Sequence, residues 1–514
     1  MISREYPPDT GFGGIATFAN HLAHGLKELG HEVEVIALAK DKAKTVEQDG
    51  IRVHRVEPHQ IYGDLGAVSI CMPYSRYVLR VTSALWQKFI QLHNERPFDV
   101  IDTPELLAEG LVPAVTKAVP MVVRLYTPHS KFIAERLHNV SPNFDHQFVA
   151  MLERMAMLAA DVITSPSDDL ADFVAQDMHY PREQITIVRN PIDPNVFSPE
   201  GPKALAADGK LKVLFVGRLE ERKGIGDLVN AIPKVVKQFP SVRFVIIGDD
   251  TNNAKGQRSV LAELKDSLHQ NNCIQHVEFI NRIPLIELPN YYRSADISIV
   301  PSVYDNSPYT CLEAMSCGLP VIGTSGGGTK EYIVNGESGV IIPPRDPEAI
   351  ADALLNLLQN EQERKRLAAN ARQRVLDEFQ RKAIAAKTVA LYEQAGRVFA
   401  AKYPARLYLK PLEQALPDAD VLLYSFDKML YDLLYLKSYR FRLKHWSKLF
   451  FYRPRLSLVK TVVAVWRTLR RLVGREYKEQ PAMLAHMERE ILTRQYDSGN
   501  RPPEYFAETT GATH

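Results

Sequence analysis

The chain has 514 residues, too many for one hydrophobic core, and 45% of them are apolar, enough to fill two or more domains. A net charge of +2, four scattered cysteines (Cys71, Cys273, Cys311, Cys317) and no apolar run of about 18 to 20 residues exclude a disulfide scaffold, a cysteine zinc site and a membrane-spanning helix. The few, scattered cysteines fit a reducing, cytoplasmic setting best, and the opening MISREYPPDT lacks the apolar centre of a signal peptide.

Taken in order, ISREYPPDTGFGGIATFANHLAHGLKELGHEVEVIALA reads as the end of a strand, a glycine loop, an amphipathic helix and a second strand. The opening strand is nearly absent. Gly13 and Gly14 precede the helix, where a glycine pair either permits close approach to a phosphate or simply makes a turn. Strand patterns follow at 32–39, 51–56, 99–103, 121–126, 161–165 and 185–188, interleaved with helical stretches, as in a doubly wound sheet. RLYTPHS places His129 just past the carboxyl end of its strand, where open α/β folds bind ligands; a structural histidine is the other reading.

VRNPIDPNVFSPEGPKALAADGK, rich in Pro, Asn, Asp and Gly, reads as an interdomain linker. LKVLFVGRLEERKGIGDLVNAI then opens a second domain with an apolar strand, a sharp turn at Gly217 and a helix from about Ile225. Arg218 and Lys223 in that turn suit a diphosphate, Arg by its planar fork and Lys as a point charge; solvated loop charges beside Glu220 and Glu221 are the alternative.

After strands at 242–248 and 277–280 comes SADISIVPSVYDNSPYTCLEAMSCGLPVIGTSGGGTKEY, residues 294–332, which reads as strand, loop, helix, strand and glycine turn. Pro301 ends the strand, and the helical pattern begins at Thr310, with Leu312 and Met315 inward and Glu313 in the first turn. Free N–H groups at such a terminus attract anions. Asp305 and Glu313, eight positions apart, are placed to face one ligand, although a first-turn glutamate also satisfies the helix dipole alone. GVIIPPRDPEAIADALLNLL follows as strand, turn and a helix begun by Asp346 and Pro347, and 382–400 has the length and spacing of a further helix.

The D-x7-E spacing of Asp305 and Glu313, the LEAMSCGLPVIGT that follows, the turn GGGTKEY and the GR-x4-KG of Arg218 and Lys223 together resemble the donor-site signature of retaining glycosyltransferases of family 4. The resemblance covers the first four-fifths of the chain. It implies an α/β protein with two Rossmann-like domains facing across a cleft (GT-B type): 1–195 on the acceptor side, 205–380 on the nucleotide-sugar donor side, and a helix at 381–400 returning to the first. The activity it implies is transfer of a sugar from a nucleotide diphosphate sugar to a sugar, lipid-linked or other acceptor, with retention and with no cofactor or metal. Arg218 and Lys223 would neutralise the diphosphate, Gly13 and Gly14 would lie against it, and Ser307, Pro308, Tyr309, Thr310 and Cys311 would line the donor through backbone N–H groups. Glu313 would hold the ribose, Asp305 the sugar hydroxyls, and His129 the reacting sugar. Glu331 also matches a family position.

The sequence departs from the family at Asp305, where glutamate is usual, and at Ser307, Pro308 and Tyr309, which replace the usual phenylalanine and glycine; these changes bear on the donor sugar more than on the reaction. Relatives carry a short apolar strand before the equivalent of Ser3, so a start upstream, or a truncated chain, is expected. Two rivals share the fold: a sugar-nucleotide epimerase or hydrolase, and a non-catalytic scaffold of envelope polysaccharide assembly.

Residues 401–514 lie outside the resemblance and form a basic extension with 20 Lys/Arg against 12 Asp/Glu, while 1–400 hold 43 against 49. Within 437–478 thirteen cations face a single acid, with aromatics interleaved, and 459–473 carries an apolar stripe at helical spacing flanked by cations. Such a helix either lies on an anionic membrane, placing the protein at its inner face, or docks on the acidic body; nucleic acid is disfavoured because no recognition motif accompanies the charge.

Overall fold

The computed structural model describes residues 1–10, 13–58, 72–135, 143–251 and 259–402, so the basic extension beyond residue 402 falls outside the described residues. Met1–Pro58 and Val81–Glu413 form one compact unit, which carries everything that follows; of the second unit, only the start of one helix at 72–80 is described.

The first lobe contains β1 (Glu34–Leu38), β2 (Lys44–Gln48), β3 (Ile51–Val56), β4 (Ile101–Pro104), β5 (Met121–Arg124), β6 (Val162–Ser165) and β7 (Ile185–Ile187). Its helices are α1 (Gly14–Glu28), α2 (Pro73–Glu95), α3 (Leu111–Thr116), α4 (His129–Ala134), α5 (Phe144–Ala159) and α6 (Asp168–Met178). The strands pair as β1-β3-β2 and β4-β5-β6-β7, and residues 1–3 stitch the two sheets together. Ile2 bridges Ile36 in parallel and sends its N–H to the Asp102 carbonyl at 2.8 Å, a single bridging pair where the sequence reads as the mere end of a strand. β4, β5 and β6 are buried at every position, as strands covered on both faces must be.

β2 was not expected from the sequence. Its KTVEQ is mostly exposed and carries no apolar alternation, but it pairs antiparallel with β3 through the two-residue turn Asp49-Gly50, both at positive φ (51° and 72°). Asp-Gly is a strong hairpin signal because its mirror-image turn matches the strand twist.

The second lobe is a six-stranded, wholly parallel sheet of β8 (Leu211–Val216), β9 (Val242–Ile247), β10 (Val277–Ile280), β11 (Ile297–Val300), β12 (Val321–Thr324) and β13 (Val340–Ile342). Its helices are α7 (Ile225–Gln238), α8 (Val260–Gln270), α9 (Leu288–Tyr292), α10 (Tyr309–Ser316), α11 (Thr329–Tyr332), α12 (Pro347–Gln359) and α13 (Glu361–Glu378). The order β10-β9-β8-β11-β12-β13 reverses direction between β8 and β11. Loops leaving the carboxyl ends of these two strands meet at this switch point, where doubly wound sheets form the crevice that takes ligands.

A last helix, α14 (Arg381–Lys402), returns to the first lobe, where Ile384, Leu391 and Ala395 pack with Val122, Val162 and Val188. The approach to α1 is close: a Cβ on Gly25 would stand 2.6 Å from the Arg381 carbonyl oxygen. Beneath α14 lies a buried ion pair. Arg124 donates to Asp102 from Nε (3.1 Å) and Nη2 (2.8 Å), and Tyr392 of α14 donates to the same carboxylate at 2.7 Å. The two chain crossings between lobes run side by side, Ile192 N–H donating to the Phe379 carbonyl and Arg381 N–H to the Ile192 carbonyl, both at 2.9 Å.

Candidate active site

The crevice between β8 and β11 is built from three backbone segments that lock together. After β8 the chain turns through Gly217 to Gly224, whose positive φ (66°) and contact with Pro301 admit no side chain, since a Cβ would lie 1.8 Å from the Pro301 carbonyl oxygen. Val303 N–H then donates to the Arg222 carbonyl at 2.8 Å, tying the loop after β11 to the loop after β8. The glycine turn after β12 closes the third side: Gly328 N–H donates to the Asp305 carbonyl at 2.8 Å, and a Cβ on Gly328 would stand 1.8 Å from the Asn306 carbonyl oxygen.

This packing concentrates charge. Lys223 and Asp305 form a largely buried ion pair, and Arg222 lies 3.8 Å from the same carboxylate while donating to the Tyr304 carbonyl (3.1 Å) and to Glu220 (3.0 Å). Burial raises the Asp305 carboxyl, but the charges of Lys223 and Arg222 outweigh it and hold the group below its usual range. Burial likewise lowers the Lys223 ammonium, against the pull of Asp305. Arg218 is half-exposed, 3.4 Å from Glu220. Arg222 and Glu220 were missed in the sequence because a run of alternating charges reads as a solvated loop.

The loop 307–311 differs from expectation. The helix starts at Tyr309, with Pro308 as its cap residue, which puts Glu313 in the second turn rather than the first. Its carboxylate therefore does not serve the helix dipole; it is buried and accepts from the Tyr292 hydroxyl at 2.8 Å. Not all of the expected backbone donors are available. Pro308 has no N–H, the Cys311 N–H is taken by the Pro308 carbonyl (3.1 Å), and the Ser307 N–H serves Asp305, leaving Tyr309 and Thr310 at the helix start. Cys311 itself is fully buried and belongs to the core.

Burial pushes the Glu313 carboxyl up to about 7, with the Tyr292 hydroxyl pulling the other way. A carboxyl whose folded value exceeds its unfolded value gives its full stability at low pH and loses it as pH rises through the folded value. Glu313→Gln keeps an oxygen for Tyr292 and is expected to flatten the stability loss between about pH 5 and 8, a difference on the order of 3 kcal/mol. Urea denaturation of both proteins at the two pH values checks this; parallel behaviour would mean that Glu313 ionises freely.

Across from this site, His129 is the first residue of α4, directly after the β5 loop, and the residue is 3% exposed. Its N–H donates to Glu153 at 2.5 Å, and its Nε2 shares a 2.7 Å hydrogen bond with His146 Nδ1, the rings stacking at 4.9 Å. Burial, and then His146, lower the His129 imidazole to about 4, so it is neutral at neutral pH. His146 and Glu153 lie on α5, and nothing in the spacing of that helix announces them.

The two lobes bring the remaining residues together. Gly13 is the residue before α1, and an ideal Cβ on Gly14 would stand 3.8 Å from the Tyr309 ring, itself stacked on His21 of α1 at 6.0 Å. Glu331, in the glycine turn, accepts from the N–H groups of Asp168 (2.9 Å) and Asp169 (3.1 Å) at the start of α6 and pairs with Arg189. Tyr304 donates to Asp169 at 3.0 Å, and the Asn306 amide reaches the Tyr126 carbonyl and the Thr127 hydroxyl.

Comparison with known proteins bears on the family and the fold. Residues 12–196 match the family described as Glycosyltransferase Family 4, and residues 198–374 match Glycosyl transferases group 1. The chain is 28% identical over 435 residues to the glycogen synthase of Mycobacterium tuberculosis, covering 81% of this chain and 99% of that one. It is 27% identical over 406 residues to the D-inositol 3-phosphate glycosyltransferase of Thermobispora bispora (76% and 91% covered). Among solved structures it resembles sucrose-phosphate synthase from Thermosynechococcus elongatus, with a TM-score of 0.62 at 24% identity over 78% of this chain and 98% of that one. Anabaena HepE in complex with UDP-glucose superposes with a TM-score of 0.56 at 17% identity, covering 76% and 98%. These likenesses establish the GT-B fold, and with the family matches to both lobes they show that the chain belongs to the family 4, group 1 glycosyltransferases.

Proposed function

We propose that this glycosyltransferase moves a sugar from a nucleotide diphosphate donor to a sugar, lipid-linked or other acceptor in glycan synthesis, with retention at the anomeric carbon and without a metal. The observation that carries the reading is the cation cluster of Arg218, Arg222 and Lys223 at the switch point beside Asp305. The bond from the anomeric carbon to the diphosphate oxygen breaks, its electron pair leaves with the diphosphate, and fixed cations stabilise the charge that develops. Retention in one step requires the acceptor oxygen to arrive on the face the diphosphate leaves, and the acceptor proton then passes to the departing oxygen. Glu313 Oε1 is assigned to the ribose hydroxyls, Oε2 being held by Tyr292, while Asp305 and His129 are assigned to the donor sugar.

A thermal-shift panel of nucleotide sugars tests the reading. A donor at a hundredfold its dissociation constant adds about 2.7 kcal/mol of stability, and the gain is expected to survive added chelator. Stabilisation by none of the panel, or activity abolished by chelator and restored by magnesium or manganese, would refute the assignment. The epimerase or hydrolase reading separates cleanly, because it consumes donor at full rate without acceptor.

The basic extension is assigned to an anionic membrane surface, where each Lys or Arg contributes about 1 kcal/mol. No helix among the described residues is long and apolar enough to cross a membrane. Cosedimentation with anionic vesicles is expected for the full chain and not for a chain ending near residue 401; equal recovery of the two would refute it.

A further inference from the structure

We propose that Asn306 is a positioning residue that couples the Lys223–Asp305 pair of one lobe to the His129 turn of the other, so that occupation of the diphosphate site and placement of His129 are a single event. The inference rests on the donor-site reading above and deepens it.

Asn306 is 7% exposed, and its carboxamide crosses between lobes. The nitrogen faces the Tyr126 carbonyl and the Thr127 hydroxyl. A main-chain carbonyl can only accept, so this assigns the amide orientation and leaves Oδ1 toward the Tyr304 hydroxyl, which also reaches Asp169 at 3.0 Å. Thr127 lies two residues before His129. The other side of that turn hangs from buried carboxylates of its own lobe: Glu105 accepts from Tyr126 N–H at 2.8 Å and Glu153 from His129 N–H at 2.5 Å. Asn306 is thus the group from the donor lobe that grips the 126–129 turn by its backbone.

The grip is stiff at its own end too. Asp305 and Asn306 are pressed against the glycine turn, where a Cβ on Gly327 would stand 2.3 Å from the Asp305 carbonyl oxygen and one on Gly328 would stand 1.8 Å from that of Asn306. Asp305 in turn is held by Lys223 and Arg222. A diphosphate that draws Lys223 toward itself changes the partner of Asp305, and one peptide bond carries the adjustment to Asn306. The hydrogen bonds of Asn306 then carry it to the turn before His129.

Asn306→Asp is the decisive variant, because it keeps the shape and replaces the donating nitrogen by an oxygen that faces the Tyr126 carbonyl. Asn306→Ser, which retains a hydroxyl donor, guards against a variant that fails to fold. The probes are UDP, ADP and GDP, and the nucleotide sugar that stabilises the wild type. For Asn306→Asp we expect diphosphate affinity within about twofold of wild type and a turnover loss of roughly a hundredfold, the cost of a misplaced reacting group, with KM little changed. Asn306→Ser should fall between.

A second readout follows the coupling itself. With histidines labelled by nitrogen-15, the His129 ring signals are expected to move when the diphosphate binds wild type and to stay still when it binds Asn306→Asp. Wild-type turnover in Asn306→Asp, equal losses of affinity and turnover, or His129 signals that respond alike in both proteins would overturn the coupling. If none of the diphosphates binds wild type, the donor-site reading falls and the coupling with it; binding that leaves wild-type His129 unmoved removes the coupling alone.

Discussion

Lys223→Ala is expected to lower kcat/KM for the nucleotide-sugar donor by about a hundred- to a thousandfold, the usual consequence of deleting one preorganised group that meets developing charge. Two effects act together. The variant removes a cation from the place assigned to the departing diphosphate, and it strips Asp305 of its nearest partner, leaving Arg222 at 3.8 Å. The burial that lowers the Lys223 ammonium also strengthens its interaction with a bound anion, because little water remains to screen it. Lys223→Arg should recover part of the loss by restoring charge without the compact geometry. Steady-state kinetics decides: a loss below about threefold for Lys223→Ala would move the leaving-group role to Arg218 and Arg222.

Asp102→Ala is expected to destabilise the protein by about 3 to 5 kcal/mol, because it leaves the Arg124 guanidinium buried without its carboxylate. Both side chains are about 5% exposed, and the carboxylate also accepts from Tyr392 on α14, so the loss also loosens the helix that returns to the first lobe. Replacing the pair together with apolar residues of similar volume should cost much less, since no unpaired charge remains. Urea denaturation measures both; a loss under about 1 kcal/mol for Asp102→Ala would show that water reaches Arg124.

Most strands and the order of the site motifs were legible because buried parallel strands are short apolar runs, and the turns between them carry glycine, proline and paired charges. Arg218, Lys223, Asp305, Glu313 and His129 lie on loops or helix starts at the carboxyl ends of strands or close behind them, in register with the reading. Glu313 was read one position too near the helix start because Tyr309 read as part of the loop, whereas it opens α10 and packs with Phe18 and Leu22 of α1. Glu105, Glu109 and Glu153 carry the signature of surface acids, yet each is almost wholly buried and accepts main-chain N–H groups. Partners 21 to 180 positions apart, as for Glu105 with Tyr126, Glu331 with Asp168 or Asn306 with Tyr126, leave no local pattern to read.

The most direct measurement follows the anomeric carbon. Wild-type protein is incubated with the nucleotide sugar that stabilises it and a sugar acceptor, and the anomeric proton couplings of donor and product are recorded by NMR as the reaction proceeds. The proposed function predicts release of the nucleoside diphosphate matched by an acceptor-linked sugar of the same anomeric configuration as the donor. Inversion at that carbon, or donor consumption that neither needs nor uses the acceptor, would contradict it.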